Sequence, residues 1–171
     1  GLAQMNRLSS KNMTMKILPG EKEGGSKILL ADHGGQSQVR VKTSMDNSGQ
    51  DSTGIYNMRL SVEQEDMLKM NDVWSLSYSQ SLKEAQSEEK SQSFSAGLSV
   101  PFGHWTLSSS LAKSDYSTIL FGTNERIRNN GKGFHQNYKI DRSLYRGRNQ
   151  TLSVWAQMNL KNTESFIEDV K

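Results

Sequence analysis

The sequence predicts a mainly β, antiparallel chain with the character of part of a transmembrane β-barrel, preceded by a small α/β unit. Three observations carry that prediction. From about residue 36 large apolar residues recur at every second position, and a period of two is a strand with one apolar and one polar face. These segments run to roughly 9–11 residues, the length a tilted strand needs to cross a bilayer, where soluble sheets use five or six. Long polar connections alternate with short ones, as in barrels with short turns on one side of the membrane and long loops on the other.

Residues 1–35 have a different texture. "GLAQMNRL" reads as the end of a helix, and "KNMTMKILPG" and "SKILLADHGG" as two short strands around the Gly-rich loop "GEKEGG". That loop is no phosphate cradle: Ser26 precedes Lys27, the reverse of the required order, and no helix pattern follows. A hairpin is the expectation.

Residues 36–171 form the second unit. Val39, Val41, Thr43 and Met45 oppose Arg40, Lys42 and Ser44; Tyr56, Met58, Leu60 and Val62 oppose Asn57, Arg59 and Ser61. Trp74, Leu76 and Tyr78 alternate with Ser75, Ser77 and Ser79. "SFSAGLSVPFGHWTLSSSLA" then carries two strands around a turn at Pro101 and Gly103, where proline needs no ladder hydrogen bond. The stretch 133–144 is a weaker strand, and Leu152, Val154, Ala156, Met158 and Leu160 mark the seventh. "DNSGQDSTG", "KEAQSEEKSQ" and "FGTNERIRNNGKG" are the long polar connections, while "PFGH" and "YRGRNQ" are short and "EQEDMLKMND" is a longer member of the short class.

Two arrangements satisfy this pattern. In a soluble sandwich, such as an adhesin-like binding domain, two apolar faces meet; in a membrane barrel the apolar face meets lipid. Strand length, aromatics near strand ends (Tyr56, Trp74, Phe102, Trp105, Tyr116) and a polar face of Ser, Gly, Asn and Gln favour the barrel. Seven strands are fewer than the eight of the smallest bacterial barrels, and Gly1 stands where an initiator Met would. The sequence is therefore expected to be a piece of a longer chain.

The composition excludes several functions. There are no cysteines, hence no disulfides or thiolate sites, and a net charge of +3 without Lys/Arg clusters argues against nucleic acid. His33, His104 and His135 lack metal-ligand spacing, and no serine stands in Gly-x-Ser-x-Gly. The acidic residues lie mostly in connections, where a solvated role is usual. Neither catalysis nor a cofactor or metal is expected.

In order and spacing the chain resembles the outer-membrane transporters of two-partner secretion, the haemolysin-activator type of the Omp85 superfamily. "LPGEKEGGSKILLAD" is similar to the end of that family's second POTRA domain. "SMDNSGQDSTGIYNMRLSVE" resembles its first barrel hairpin, through Asp46, Asn47, Gly49, Thr53 and Gly54. "NDVWSLSYSQS" resembles the third strand with Asp72 before it, "LSVPFGHWTL" the turn at Val100, Pro101 and Gly103, and "DRSLYRGRNQTLSV" the region of Leu144 and Arg146. The family's Val-Arg-Gly-Tyr/Phe motif is absent from these residues.

The resemblance implies a 16-stranded barrel of which this chain holds seven strands, with residues 1–35 closing a periplasmic POTRA domain. It implies an ATP-independent exporter, monomeric when complete, set in outer-membrane lipid and serving a secreted TpsA-type exoprotein. An Omp85-type assembly factor is the related alternative. Arg40, Lys42 and Arg59 are then candidates for the lumen, solvated or paired with an acidic plug or loop. Asp46, Asn47 and Gly49 are expected to form a turn.

Overall fold

The computed structural model describes residues 5–22, 24–34, 37–50, 52–82, 89–121, 126–147 and 150–170. Nine strands follow one another: β1 (Met13–Pro19), β2 (Ser26–Asp32), β3 (Val39–Asp46), β4 (Tyr56–Glu65), β5 (Val73–Leu82), β6 (Lys90–Phe102), β7 (Trp105–Phe121), β8 (Arg126–Arg146) and β9 (Thr151–Val170). β1 and β2 pair as an antiparallel hairpin closed by Gly20 N–H to Gly25 O at 2.8 Å, the Gly-rich turn expected there. The helix end expected at the start lies mostly in residues 1–4, outside the described residues; Met5 is helical and residues 6–10 turn.

β3 to β9 form one sheet in which each strand pairs with the next. This is a meander, and the other sheet among the described residues, the β1–β2 hairpin, makes no contact with its strands and so does not cover the apolar face. The facing second sheet of a sandwich is not present among the described residues. The only buried large hydrophobic residue among those described is Leu8, at 2% exposure, and it lies outside the sheet. Phe94, Leu107, Leu111, Val154 and Met158 are all exposed. The backbone is satisfied sideways by the ladder, while the apolar side chains have no protein to pack on.

Strand number agrees with the expectation, but strand length does not. β6 to β9 span 13, 17, 21 and 20 residues, against the 9–11 expected. The weak segment 133–144 belongs to the longest strand, and most of "FGTNERIRNNGKG" is strand rather than loop. The reason is that alternation stops where the apolar face stops. Beyond Lys113, Phe134 and Leu160 neither face of β7, β8 and β9 is regularly apolar, and Ile119, Phe166 and Ile167 are scattered among polar residues, so the ribbon continues with its ladder intact and no periodic signal.

The apolar band crosses the sheet obliquely. Met58 on β4 shares a register row with Gln80, Gln92, Asp115, Lys132 and Glu164, all polar. Met158 on β9 shares a row with Tyr138, Leu98 and Trp74 but reaches Gln64 on β4. The band shifts by roughly one residue per strand step. With about 3.4 Å per residue and about 4.8 Å between strands, the strands incline about 30–45° to its normal.

Two turns show how the local sequence sets the register. Gly103 at φ 59 is the first of two residues between the paired Phe102 and Trp105, a position of a two-residue hairpin that favours glycine. Pro101 lies inside β6, opposite Thr106, rather than in the turn itself. β5 stops pairing at Val73 opposite Ser99, so the missing N–H of Pro101 falls past the neighbouring strand. In the β3–β4 connection Asp46 accepts from Ser48 N–H at 3.0 Å, Gly49 N–H reaches Ile55 O at 2.9 Å, and Gly54 N–H reaches Gln50 O at 2.7 Å.

Gly54 has φ 119, and a Cβ there would lie 2.8 Å from Leu82 O on β5. Gly54→Ala is expected to destabilise the folded protein by about 1–3 kcal/mol, through backbone strain and overpacking. Unfolding in urea of the detergent-solubilised protein measures the loss.

Candidate functional site

The described residues bury their charges in one place, the β4–β5 turn at residues 66–72. Asp66, Lys69 and Asn71 there adopt φ of 57, 61 and 59. Asp and Asn enter this left-handed region at low cost because their side chains bond the local backbone. Asp66 N–H donates to Asp72 O at 2.8 Å, and Asn71 N–H donates to Asp66 Oδ1 at 2.9 Å. Asp72 is 0% exposed. Its carboxylate accepts from Leu68 N–H at 3.0 Å and from Trp74 Nε1 at 2.7 Å, which ties the turn to the first aromatic residue of β5.

The N-terminal segment docks on this turn. Glu65, 2% exposed, accepts from Ser9 Oγ at 2.8 Å and Ser10 N–H at 2.9 Å. Arg7 donates to Asn71 O at 2.8 Å and to Ser99 Oγ on β6 at 2.7 Å. Lys11 Nζ lies 2.8 Å from Asp66 Oδ2 and donates to Asn71 Oδ1 at 2.8 Å. Arg40 completes the cluster from β3, pairing with Glu65 at 2.8 Å and also with Glu63 and Ser9. A buried carboxylate is stable only when paired and hydrogen-bonded, and here each has several donors. The segment ahead of β1 is thereby joined to one end of the sheet.

Asp66 sits in the turn, outside the strands. Burial pushes its pKa up, but the hydrogen bonds from Lys11 and Asn71 N–H, with the charges of Lys11 and Lys69, outweigh this. They hold it below the ordinary 3.8.

The sheet's polar face is built of short side chains that pair across strands. Ser77 and Ser95 hydroxyls lie 2.7 Å apart, Ser79 and Ser93 2.8 Å, and Ser99 and Ser108 3.0 Å. Gly97 has no room for a Cβ, which would come 2.6 Å from Ser75 Oγ. The small residues therefore let adjacent side chains bond each other and keep the face low. Arg40, Lys42 and Arg59 line one depression on this face, about 270 Å³, with Glu63, Ser61, Ser75 and Ser77. Arg40 is consumed by the turn cluster, whereas Lys42 and Arg59 carry no ion pair among the described residues.

Asp46, Asn47, Gly49 and Gly54 belong to the opposite end of the sheet. Ser48, Gly49, Gln50 and Thr53 from that connection, with Asn57, Ser91, Tyr116 and Thr118, line a polar depression of about 400 Å³. Gly103 and Pro101 sit at the β6–β7 hairpin, and Arg146 ends β8 opposite Thr151, its side chain outside the described residues. The site residues expected from sequence are thus spread over both ends of the sheet. Of the residues brought together by the turn, sequence reasoning singles out Arg40 as a lumen candidate and Asp72 by its place before a strand, and it expects the other acidic residues to be solvated. The available signal was the density of Glu, Asp and Asn in "EQEDMLKMND", too many side-chain acceptors for a plain connection. Among the described residues no cluster of His, Asp or Glu has the arrangement of a metal site.

Asp72→Ala removes the acceptor of several N–H groups in a fully buried position and is expected to cost about 2–5 kcal/mol. Asp72→Asn keeps one oxygen and should cost less; unfolding of the purified protein in detergent compares them. Asp66 has a depressed native pKa, so its contribution is present above the unfolded value and is lost as pH falls through the native one. The protection of the amides of residues 66–72 against exchange, relative to the intrinsic rate at each pH, is expected to fall below about pH 4. In Lys11→Met the same exchange should already be raised at neutral pH.

Comparison with known proteins agrees with this architecture. The model of the haemolysin secretion/activation proteins ShlB/FhaC/HecB matches residues 24–171. The outer membrane transporter CdiB-2 of Burkholderia pseudomallei is 30% identical over 98% of this chain and 29% of its own length. The hemolysin transporter protein ShlB of Serratia marcescens is 27% identical over 100% and 30%. The solved CdiB from Escherichia coli superposes with a TM-score of 0.86 at 25% identity, covering 98% of this chain and 31% of that one. This chain thus spans about three-tenths of the length of the relatives it matches. The chain belongs to the ShlB/FhaC/HecB family of haemolysin secretion/activation proteins, the two-partner-secretion transporters of the bacterial outer membrane.

Proposed function

We propose that residues 36–171 are the first seven strands of a 16-stranded transmembrane barrel and that residues 1–35 close the second POTRA domain on its periplasmic side. The whole protein then recognises a large β-helical exoprotein of the TpsA type and secretes it through the barrel. The observation that carries this reading is a seven-stranded sheet whose apolar face has no protein partner. The oblique apolar band supports it, because its inclination of about 30–45° overlaps the tilt of strands in membrane barrels. Lipid then covers the apolar face, and the hydroxyl-rich face lines the lumen.

Each part of the chain has a task in this reading. The N-terminal segment joins the end of the sheet that carries the shorter turns, which fits a periplasmic side. The seryl ladders give a passing, unfolded chain hydrogen-bonding partners without an apolar surface on which it would stick. Lys42 and Arg59 add solvated positive charge to that wall. The contacts of the buried Glu65 with Arg40 and Ser10 fix the POTRA end relative to the strands, so that a captured chain is delivered to the lumen.

The test is secretion by the full-length gene product, expressed with its cognate exoprotein gene. Expected is a protein in the outer-membrane fraction with heat-modifiable gel mobility, and exoprotein in the medium only when both genes are present. A detergent-independent soluble protein would overturn the barrel. A heat-modifiable membrane protein that releases no exoprotein would overturn the transporter role while leaving the barrel standing.

A further inference from the structure

A further cavity lies on the apolar face, at the end of the sheet remote from the β4–β5 turn. It measures about 610 Å³ and is lined by Lys90 and Gln92 of β6, Lys113 and Asp115 of β7, and Lys132 and Phe166 of β8 and β9. Lys90, Gln92, Lys113, Asp115, Lys132 and Phe166 alternate with the polar-face residues and so share the outward face with Phe94, Leu111 and Phe134. Lys113 stands in one register row between Phe94 and Phe134. Lys132 lies opposite Asp115 in the next row, and Lys90 opposite Ser117 in the row beyond.

Three cations thus stand around a hollow where the apolar band gives way to polar residues, with two carboxylates, Asp115 and Glu164, in the register row of Lys132. All three lysines are exposed, and none pairs with a carboxylate among the described residues. By strand and residue spacing their backbones lie about 8–15 Å from one another. That spread suits a headgroup with two separated anionic centres better than a single ion. Below the lysines, Phe94, Phe134 and Leu111 offer an apolar wall continuous with the rest of the band. A ligand that matches both parts is an amphiphile with phosphates at one end and acyl chains at the other.

We infer that Lys90, Lys113 and Lys132 form a site for the phosphorylated sugar headgroup of a glycolipid in the outer leaflet. The inference rests on the reading of the apolar face as lipid-covered, and it commits to a leaflet. The lysines stand at the end of the sheet opposite the N-terminal unit, on the side of the long connections. Lysine is suited to this task as a mobile point charge, and each phosphate contact strengthens as the surroundings lose water. The cost of holding three like charges together is offset when the headgroup is bound.

The experiment uses the full-length protein purified in detergent, with purified bisphosphorylated lipid A as probe. Its fully dephosphorylated form and phosphatidylglycerol are the comparisons, and binding is read by native mass spectrometry. Expected is lipid A binding that falls at least tenfold in the triple variant Lys90→Gln, Lys113→Gln, Lys132→Gln, with little binding of either comparison lipid. Heat-modifiable mobility of each variant shows that the barrel is intact. The single Lys113→Gln variant provides a second measurement with a smaller loss. Equal lipid A binding by the triple variant, or equal binding of the dephosphorylated form, would overturn the site. Phosphatidylglycerol binding as tightly would overturn the headgroup assignment. A wild-type protein without heat-modifiable mobility would instead overturn the barrel reading on which the inference rests.

Discussion

Everything in the sheet depends on one constraint: its strands pair with one another through the ladder, while its apolar side chains have no packing partner among the described residues. Each of the seven strands has an antiparallel neighbour, so the costly polar groups of the main chain pair between adjacent strands, and only the outer edges of β3 and β9 face no strand among the described residues. The apolar face remains exposed, and only Leu8 among the described residues is a buried large hydrophobic. In water such a face would drive aggregation; against hydrocarbon it costs nothing. The same constraint explains the polar face, where short hydroxyls bond one another and leave a smooth, hydrophilic wall.

A second logic operates at the β4–β5 turn. The sheet has no apolar core to hold the N-terminal segment, so the attachment is made by buried charge. Glu65, Asp66 and Asp72 sit within a few residues of one another, and each is supplied with donors: Ser9, Ser10 and Arg40 for the first, Lys11 and Asn71 for the second, the turn backbone and Trp74 for the third. Charged hydrogen bonds are directional in a way that apolar packing is not. They fix an orientation between the two parts of the chain.

The strands that run past the apolar band add a third element. On β7, β8 and β9 the ladder continues where neither face is regularly apolar, so the ribbon projects beyond the region that lipid covers in the proposed barrel. Stiffness there comes from hydrogen bonds and close side-chain fits alone. At the base of the ribbon the outward lysines gather, where an apolar surface ends and a charged one begins.

The sequence by itself determined the strand count, the alternation of faces and the antiparallel order, because a period of two and a polar break are local signals that survive without any neighbour. It also determined the Gly20–Gly25 hairpin and the turn at Gly103, since backbone conformation there depends on one residue type. The tertiary structure alone decided the rest. The extension of β8 to 21 residues is invisible where both faces are polar, because no periodicity marks a strand that has no apolar side. The fates of Arg40 and Glu65 depended on Ser9 and Ser10, more than fifty residues from Glu65 along the chain, and no local pattern encodes that meeting. The obliquity of the apolar band, and the convergence of Lys90, Lys113 and Lys132, exist only in the register between strands. Register is set by pairing across the sheet, so it is a property of the fold and of no single segment.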